Sequence, residues 1–393
     1  MVILTILVGL LAAVLLLPTV SDLISVIRLP FLRRRPAVKP NAVPPRLLFV
    51  VPAHDEERMI ESCVQSLKAL QYPSDRFDVV VLADNCSDRT VELARGAGAR
   101  CLERHDKKLP GKPRAIAWAL PQLPLDQFDS MIIIDADTVV DPSFGTALAN
   151  AGPLRHKAFQ AYFDVRNPGD SLLTQMNTVL AAANYRFAYA LKRRVGLNAP
   201  LMGNGMCLGT AVLAAQGWRA FTIAEDWELY ALYTIAGIPI ESLVTARLYA
   251  QEANSLAQSS TQRKRWTAGK LTVLGRLITP LVRSREIDAA QKLDAVGELT
   301  AQGPVVHLGL VLAAGLLTAL LQPPAAGLLL VGLAVSVARL GIYAVLGLSL
   351  QPHPLRSAAA FAFLPFYMLW RLGAAVAALR QIGDKPWVRT ARD

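Results

Sequence analysis

The run "SMIIIDADT" at residues 130–138 decides the fold class, because an apolar segment leads directly into two acidic residues. Its uninterrupted apolar stretch is typical of a strand buried on both faces, as at the centre of a parallel sheet. Asp135 and Asp137 alternate where regular pleating ends, so both carboxylates can turn towards one ligand. Carboxylate oxygens suit Mg²⁺ or Mn²⁺, which keep open positions for phosphate oxygens. The alternative is a pair of solvated acids in the turn after a strand.

The segments before this run alternate between strand and helix patterns. "RLLFVVPAH" (46–54), "FDVVVLADN" (77–85) and "ARCLER" (99–104) are typical of strands, and the segments between them carry apolar residues at helical spacing. This series predicts a parallel sheet with helices on both faces, whose ligands bind beyond the carboxyl ends of the strands. Asp55 and Asp84 follow two of these strands, so we expect them to converge with Asp135 on one crevice. The sequence contains neither GxGxxG nor a Walker loop, which argues against a Rossmann dehydrogenase or a P-loop ATPase.

The composition is that of a membrane protein. Hydrophobic residues make up 53% of the 393 positions and charged residues 18%, so more apolar surface is present than one soluble core usually hides. The net charge of +11 suggests contact with anionic headgroups or phosphate-bearing substrates, with nucleic acid as an alternative. "VILTILVGLLAAVLLLPTV" at 2–20 predicts a membrane anchor, because no basic region precedes it and no cleavage site follows. Basic residues from Arg28 to Lys39 place the downstream side in the cytoplasm of a multi-pass inner-membrane protein.

The C-terminal third is apolar again. The runs at 304–321 and 325–350 predict two membrane spans. A third block at 355–380 is interrupted by Pro365 and Arg371 and is followed by a basic tail. A fourth crossing would put that tail outside, against the charge bias. We therefore favour an interfacial or re-entrant helix there and leave a crossing open.

Three further segments carry candidate functional residues. "AEDW" at 224–227 places Glu225 and Asp226 at the start of an amphipathic helix, either complementing its dipole or providing a general base with a raised pKa. "LMGNGMCLG" at 201–209 predicts a turn with positive φ. The helical run at 170–196 ends in basic residues and is expected at the membrane surface. The string "TQRKRW" at 261–266 is by itself only a basic patch beside a tryptophan.

Six short motifs occur in order between Val51 and Trp266, namely "VPAHDEE", "ADNCSD", "DAD", "GNGM", "AED" and "QRKRW". With its flanking apolar segments, the chain resembles a membrane-embedded family-two glycosyltransferase with a GT-A catalytic domain. This group includes the cellulose, hyaluronan, chitin-oligosaccharide and poly-N-acetylglucosamine synthases and, more distantly, ceramide glucosyltransferase. The resemblance implies an α/β fold in which a Rossmann-like, mostly parallel sheet forms a cytoplasmic GT-A domain flanked by transmembrane and interfacial helices.

The resemblance also implies a role for each matching residue. By this resemblance, Asp84 contacts the nucleotide base with Asp55 nearby, and Lys112 lies near the donor phosphates. Asp137 with Asp135 holds Mg²⁺ or Mn²⁺. Asp226 with Glu225 is the catalytic base. Gln262, Arg265 and Trp266 match QxxRW, where Arg265 faces the diphosphate and Trp266 supports the acceptor beside the Asn204–Gly205 loop. Arg263 and Lys264 occupy variable positions and are expected to meet headgroups.

The implied reaction is an inverting transfer of a hexose or N-acetylhexosamine from a UDP-sugar to a hydroxyl of a membrane-associated glycan, forming a β-glycosidic bond. The alternative is a glycolipid synthase that adds one sugar to a lipid. Two features depart from the family: Ala224 replaces its common threonine, and few spans are available for a polymer channel. The second favours a short glycan or a lipid acceptor, or a homo-oligomer or secretion partner. Nucleic acid is not an expected partner. A sugar nucleotidyltransferase is not favoured, because it would need a Gly-rich loop near its N-terminus.

These expectations divide the chain into segments. We predict a transmembrane anchor at 1–27, a basic linker at 28–45, the GT-A catalytic domain at 46–255, the QxxRW segment with interfacial helices at 256–300, C-terminal membrane helices at 301–383 and a basic tail at 384–393.

Overall fold

The computed structural model describes residues 2–31, 43–253, 255–301 and 303–383. Most of the predicted basic linker and the whole predicted basic tail lie outside these ranges.

A helix, α1 (Val2–Arg28), precedes an eight-stranded α/β domain. The strands and helices of this domain are, in chain order, β1 (Leu47–Ala53), α2 (Ile60–Lys68), β2 (Phe77–Asp84), α3 (Thr90–Gly96), β3 (Arg100–Arg104), α4 (Lys112–Ala119), β4 (Ser130–Ile133), β5 (Thr138–Val140), α5 (Phe144–Ala149), β6 (Ala158–Val165), α6 (Leu172–Ala183), α7 (Tyr189–Val195), β7 (Met206–Gly209), α8 (Thr210–Gln216), α9 (Glu225–Ile235) and β8 (Ile240–Ala250). Six helices follow: α10 (Leu256–Arg283), α11 (Ala289–Thr300), α12 (Pro304–Leu321), α13 (Ala326–Ser349), α14 (Pro354–Ala359) and α15 (Leu364–Ala378).

The strand order in the sheet is β3-β2-β1-β4-β7-β6-β8-β5. The first four of these strands are parallel, as is the β6–β8 pair, whereas β7 runs antiparallel to both of its neighbours and β5 antiparallel to β8. The α/β class with a mostly parallel sheet is therefore confirmed. The carboxyl ends of β1, β2 and β4 lie next to one another, as the sequence predicts.

The run at 130–138 is not one continuous strand. β4 ends at Ile133, and β5 begins at Thr138 and joins the opposite edge of the sheet. The Thr138 N–H donates to the Asp135 carbonyl at 3.0 Å, which closes a turn. The Asn204 side chain accepts from the Asp135 N–H at 3.1 Å, in place of a strand partner. A residue far along the chain thus ends the strand just before the acidic pair.

Two apolar layers cover the faces of the sheet. Phe49 and Ile132 point to the layer that contains α2 and α5, whereas Val50 and Ile133 point to the layer that contains α4 and α9. Neighbouring residues of one strand therefore enter opposite layers, as the pleat requires. The second layer continues into α10 and α11, so the helix that carries "TQRKRW" is built onto the domain core.

Among the described residues, four helices are long and apolar enough to cross a membrane: Val2–Phe31, Pro304–Leu321, Ala326–Ser349 and Pro354–Gln381. The block that we favoured as interfacial is one of these four by length and composition, and its placement in the membrane stays a prediction. The helical run predicted at 170–196 forms α6, a π-helical turn (Asn184–Ala188) and α7. α6 packs against the apolar helix α13.

Buried charges join the C-terminal half of α1 to the α/β domain. Lys192 of α7 pairs with Asp294 of α11, and its Nζ lies 3.1 Å from Glu298 Oε1. Ser21 of α1 donates to Asp294 Oδ1 at 2.7 Å. Lys270 of α10 donates to the carbonyl at the end of α11 and interacts electrostatically with Glu298. We call Ser21, Lys192, Lys270, Asp294 and Glu298 the junction cluster.

A second polar contact holds α1 against α13. Arg339 lies inside an apolar run, where a charged residue is unusual. It pairs with Asp22 at 2.6 Å, and the Tyr343 hydroxyl donates to the same carboxylate at 2.8 Å. Ionisable residues at such depth are stable when they are paired within the helix bundle.

Candidate active site

Asp55 and Asp84, the acidic residues at the ends of β1 and β2, hold the loops at the carboxyl edge of the sheet in place. Asp84, at the end of β2, is buried and accepts from Arg104 Nη1 at 2.6 Å and from the Gly111 N–H at 2.7 Å. These bonds fix the loop that leads into α4. Asp55 has a positive φ of 53° and accepts from the Ser87 N–H at 2.6 Å. Contact of Asp55 or Asp84 with a nucleotide stays a prediction.

Lys112 lies at the centre of the site. As the first residue of α4, it donates from Nζ to Asp135 Oδ1 and to the Gly203 carbonyl, both at 2.6 Å. The same Nζ lies 3.4 Å from Glu225 Oε1. Burial alone would lower the pKa of Lys112, but the carboxylates of Asp135 and Glu225 raise it above its ordinary value. The ammonium therefore stays charged.

Asp226 completes this group. A Cβ added at Gly203 would lie 3.3 Å from Asp226 Oδ2 and 3.8 Å from Lys112 Nζ, so the aspartate approaches the same backbone. We call Lys112, Asp135, Glu225 and Asp226 the carboxylate cluster. Its members come from α4, the turn after β4 and the start of α9, which meet only in the folded chain.

The carboxylate cluster gives Asp226 the properties of a base. Burial, followed by the charge of Glu225, raises the pKa of Asp226 to about 7, while the Trp227 N–H and Lys112 oppose the rise. A carboxyl group with such a pKa can accept a proton near neutral pH. Glu228 accepts from the N–H groups of Phe221 and Thr222 at 2.7 Å each, which fixes the loop that precedes α9. Asp226 as the catalytic base stays a prediction.

The loop predicted to have positive φ has it at two glycines. Gly203 and Gly205 have φ of +78° and +72°, and a Cβ at Gly205 would lie 2.4 Å from the Leu248 side chain. Between them, Asn204 is buried and donates from Nδ2 to Thr138 Oγ1 at 2.7 Å. With its bond to the Asp135 N–H, this side chain holds the acidic turn in place. An acceptor contact by Asn204 or Gly205 stays a prediction.

The string "TQRKRW" lies on α10, which packs against α9. Trp266 is 41% exposed, and the guanidinium of Arg263 lies 4.9 Å from its ring centroid. Arg263 also contacts Glu252 at 3.4 Å, so part of its guanidinium is held within the protein. Lys270 Nζ lies 3.5 Å from the centroid of Trp227, the neighbour of Asp226. The helix of Gln262, Arg265 and Trp266 thus supports the helix of the expected base.

The close packing of α9 and α10 explains the missing threonine. A Cβ on Gly269 would lie 2.6 Å from the Ala224 Cβ, so α10 approaches the residue before Glu225 closely. Position 224 therefore favours a small side chain.

Asp135 and Asp137 fit a divalent cation chemically. Both are half-buried and follow β4, and Asp135 already contacts one cation, the Lys112 ammonium. Mg²⁺ is commonly held by one or two carboxylates together with substrate phosphates. Within the described ranges, one group of three side chains is close enough to share an ion: Asp55, Cys86 and Asp88. Burial raises the pKa of the Cys86 thiol to about 11, so this thiol is protonated at neutral pH without an ion beside it.

Several supporting residues escaped the sequence analysis. Arg104, Glu228 and the Gly203 carbonyl all contact predicted site residues or their helix. A signal existed for Arg104, because it ends the strand next to the one that ends in Asp84. The contact made by the Gly203 carbonyl could not be predicted from the sequence, since every residue has a backbone carbonyl.

The chain was compared with known proteins. A family model described as glycosyltransferase like family 2 matches residues 44–269, more than half of the chain. Glucomannan 4-beta-mannosyltransferase 7 of Arabidopsis thaliana is 23% identical over 266 residues, which cover 63% of this chain and 47% of that protein. Beta-monoglucosyldiacylglycerol synthase of Trichormus variabilis is 26% identical over 235 residues, which cover 57% of this chain and 49% of that protein. The chain spans about half the length of the curated relatives it matches.

A solved structure extends the likeness over nearly the whole chain. The mannosyltransferase PcManGT of Pyrobaculum calidifontis, in complex with GDP-Man and Mn²⁺, superposes with a TM-score of 0.59 at 17% identity, covering 96% of this chain and 98% of that one. The GT-A fold predicted from the sequence is therefore confirmed. With the match of the family model to the domain that holds the carboxylate cluster, the comparisons show that this chain belongs to glycosyltransferase-like family 2.

Proposed function

We propose that the protein is a membrane-bound, inverting glycosyltransferase that moves a hexose or N-acetylhexosamine from a nucleotide sugar, with UDP as the expected carrier, to an acceptor hydroxyl. The carboxylate cluster carries this proposal: Lys112 bridges Asp135, on the expected donor side, and Glu225, beside the expected base Asp226. Donor diphosphate and acceptor hydroxyl can therefore be handled within one small group of side chains.

The chain's own residues supply most of the chemistry. Asp226 takes the proton of the acceptor hydroxyl at its carboxylate as that oxygen attacks the anomeric carbon. Lys112 interacts with the donor diphosphate, and Arg265 with Gln262 supports the same group from α10. Attack opposite the leaving group inverts the configuration, so an α-linked donor gives a β-linked product.

A bound Mg²⁺ or Mn²⁺, held by Asp135 and Asp137, would stabilise the charge of the departing nucleoside diphosphate. The structural neighbour that contains GDP-Man and Mn²⁺ supports a nucleotide-sugar donor and a metal. We expect Asp55 and Asp84, at the carboxyl ends of β1 and β2, to meet the nucleotide.

For the acceptor we propose a membrane-associated glycan, with a lipid hydroxyl as the second candidate. The relatives include a glucomannan mannosyltransferase and a glucosyldiacylglycerol synthase, and so support both. The four apolar helices favour an acceptor that is held at the inner membrane, with the catalytic domain in the cytoplasm.

The test uses the purified full chain in detergent with a panel of nucleotide sugars, Mn²⁺ or Mg²⁺, and either glycan or lipid acceptors. We expect release of nucleoside diphosphate with one donor, and loss of that release after chelation. The number of sugars on a defined acceptor separates the two candidates, because a product that stops at one sugar contradicts the polymerising version. No turnover with any donor and acceptor would contradict the proposal as a whole.

A further inference from the structure

Two arginines with unpaired N–H groups lie between α10 and the last membrane helix. Arg371 of α15 is only 7% exposed, and no described residue accepts a hydrogen bond from its buried Nη1. Arg263 of α10 donates weakly to Glu252 from Nη2, but its buried Nε has no partner within the described ranges. The two helices pack directly, and the two guanidinium groups are close enough to repel each other.

The charge of this pair is not balanced. Among the described residues, Glu252 is the carboxylate that pairs with Arg263, and none pairs with Arg371. One positive charge is therefore left without a partner in a buried place. A buried, uncompensated charge is unfavourable unless an anion neutralises it and fills its hydrogen-bonding positions. The unpaired Nε of Arg263 and Nη1 of Arg371 are the hydrogen-bonding positions that such an anion would fill.

The chemistry of the pair favours phosphate. The planar guanidinium fork matches phosphate oxygens, and two arginines can share one such group. The surroundings favour a phosphate that carries an apolar chain. Tyr367 and Trp370 stack beside Arg371 on α15, with centroids 5.7 Å apart, and they belong to an apolar cluster with residues of α6 and α12. α15 lies in a segment apolar enough to enter a membrane, and lipid phosphates are abundant at the membrane surface.

We propose that Arg263 and Arg371 bind the phosphate group of a membrane lipid. Because Arg263 also covers one face of Trp266, the bound phosphate fixes the position of that side chain on the acceptor side of the site. The lipid site stands independently of the proposed function, since lipid binding needs neither a sugar donor nor transfer.

The test measures lipid binding by the full chain in detergent, after removal of co-purified lipid. Phosphatidylglycerol, diacylglycerol and inorganic phosphate are added separately, bound lipid is counted by native mass spectrometry, and protection is measured as a thermal shift. We compare the wild type with Arg371→Gln, Arg371→Lys and a matched control, Arg283→Gln, an exposed arginine in the last turn of the same α10 helix. We expect Arg371→Gln to lower the affinity for phosphatidylglycerol about tenfold or more, Arg371→Lys to lower it less, and Arg283→Gln to leave it unchanged.

Each result decides the proposal. The lipid-free Arg371→Gln protein should be at least as stable as the wild type, because it loses an unpaired buried charge; marked destabilisation would assign Arg371 a structural role and overturn the site. Equal retention of phosphatidylglycerol by Arg371→Gln and the wild type would overturn it as well. Equal binding of diacylglycerol would show that the acyl chains alone bind. Protection by inorganic phosphate as strong as that by the phospholipid would overturn the assignment to a lipid.

Discussion

Two clusters of charged side chains, the junction cluster and the carboxylate cluster, differ in whether their charges are balanced. The junction cluster sets the cations of Lys192 and Lys270 against the carboxylates of Asp294 and Glu298. The carboxylate cluster sets three carboxylates against the single cation of Lys112. A balanced cluster is complete within the protein, whereas an acid-rich one attracts a further cation or a proton. The imbalance supports the proposal that the carboxylate cluster acts on a ligand.

The junction cluster contains one acid with a raised pKa, Asp294, where burial outweighs the charge of Lys192, and one with a lowered pKa, Glu298. Burial would raise the pKa of Glu298, but Lys192 and Lys270 hold it below its ordinary value, so it stays ionised. Asp226 has the opposite shift, because burial and Glu225 outweigh Lys112 and the backbone N–H groups. Two buried acids on neighbouring helices thus differ in what they can do: Glu298 keeps its charge, and Asp226 can exchange a proton near neutral pH.

The largest effect is expected from Asp226→Asn. An amide cannot accept the acceptor's proton, so we expect nucleoside diphosphate release to fall about a thousandfold. The raised pKa of Asp226 means that ionisation weakens the fold as the pH rises from about 4 to about 7. The variant removes this penalty and should be at least as stable as the wild type at pH 7 in thermal denaturation. A stable variant that retains transfer would show that the cluster's excess of acid serves another purpose.

The junction cluster should respond to substitution in the opposite way. Lys192→Met leaves Asp294 and Glu298 without their nearest cation, and we expect the free energy of unfolding to fall by about 3–5 kcal/mol. The double variant Lys192→Met/Asp294→Leu removes the unpaired charge and should regain part of that loss. Chemical denaturation in detergent measures both. If the single variant were as stable as the wild type, the distinction between a balanced and an acid-rich cluster would have no energetic basis.

Lys112→Met makes the carboxylate cluster more acid-rich still. We expect transfer to fall about a hundredfold, because the donor diphosphate loses a fixed cation. Lys112 also lowers the pKa of Asp226, so its loss should move the acid limb of the kcat/KM profile from near pH 7 to higher pH. Lys107→Met, at an exposed position in the preceding loop, is the control. An unchanged acid limb in Lys112→Met would mean that Asp226 is not the titrating base.

The sequence predicted the features of the fold and of the two clusters that depend on local sequence pattern. Apolar runs that end in acids located β1, β2 and β4, and the strand ends met as expected. The early end of β4 was not predictable, because it depends on Asn204, 69 residues away from Asp135. The junction cluster was missed for the same reason: Lys192 ended a basic helix, and Asp294, 102 residues later, belonged to no motif. Arg263 was expected to meet headgroups, but its contacts with Glu252 and Trp266 could not be predicted from the variable position that it occupies.

The smallest predicted effect tests whether the two clusters are mechanically linked. Gly269 packs on Ala224, next to Glu225, and the following residue, Lys270, belongs to the junction cluster. In an exposed helix, Gly→Ala stabilises by about 1 kcal/mol. At Gly269 the new Cβ would lie 2.6 Å from the Ala224 Cβ, so α10 must move away from the start of α9.

We therefore expect Gly269→Ala to lower transfer about tenfold, since small displacements of catalytic groups are costly. Gly275→Ala on the same helix meets no atom within 4 Å and should stabilise the protein without affecting transfer. Nucleoside diphosphate release and thermal denaturation measure both variants. Loss of transfer in Gly269→Ala alone would show that the position of α10, which the balanced junction cluster helps to fix, sets the geometry of the acid-rich one. Full transfer in both variants would mean that the clusters share a helix but act independently.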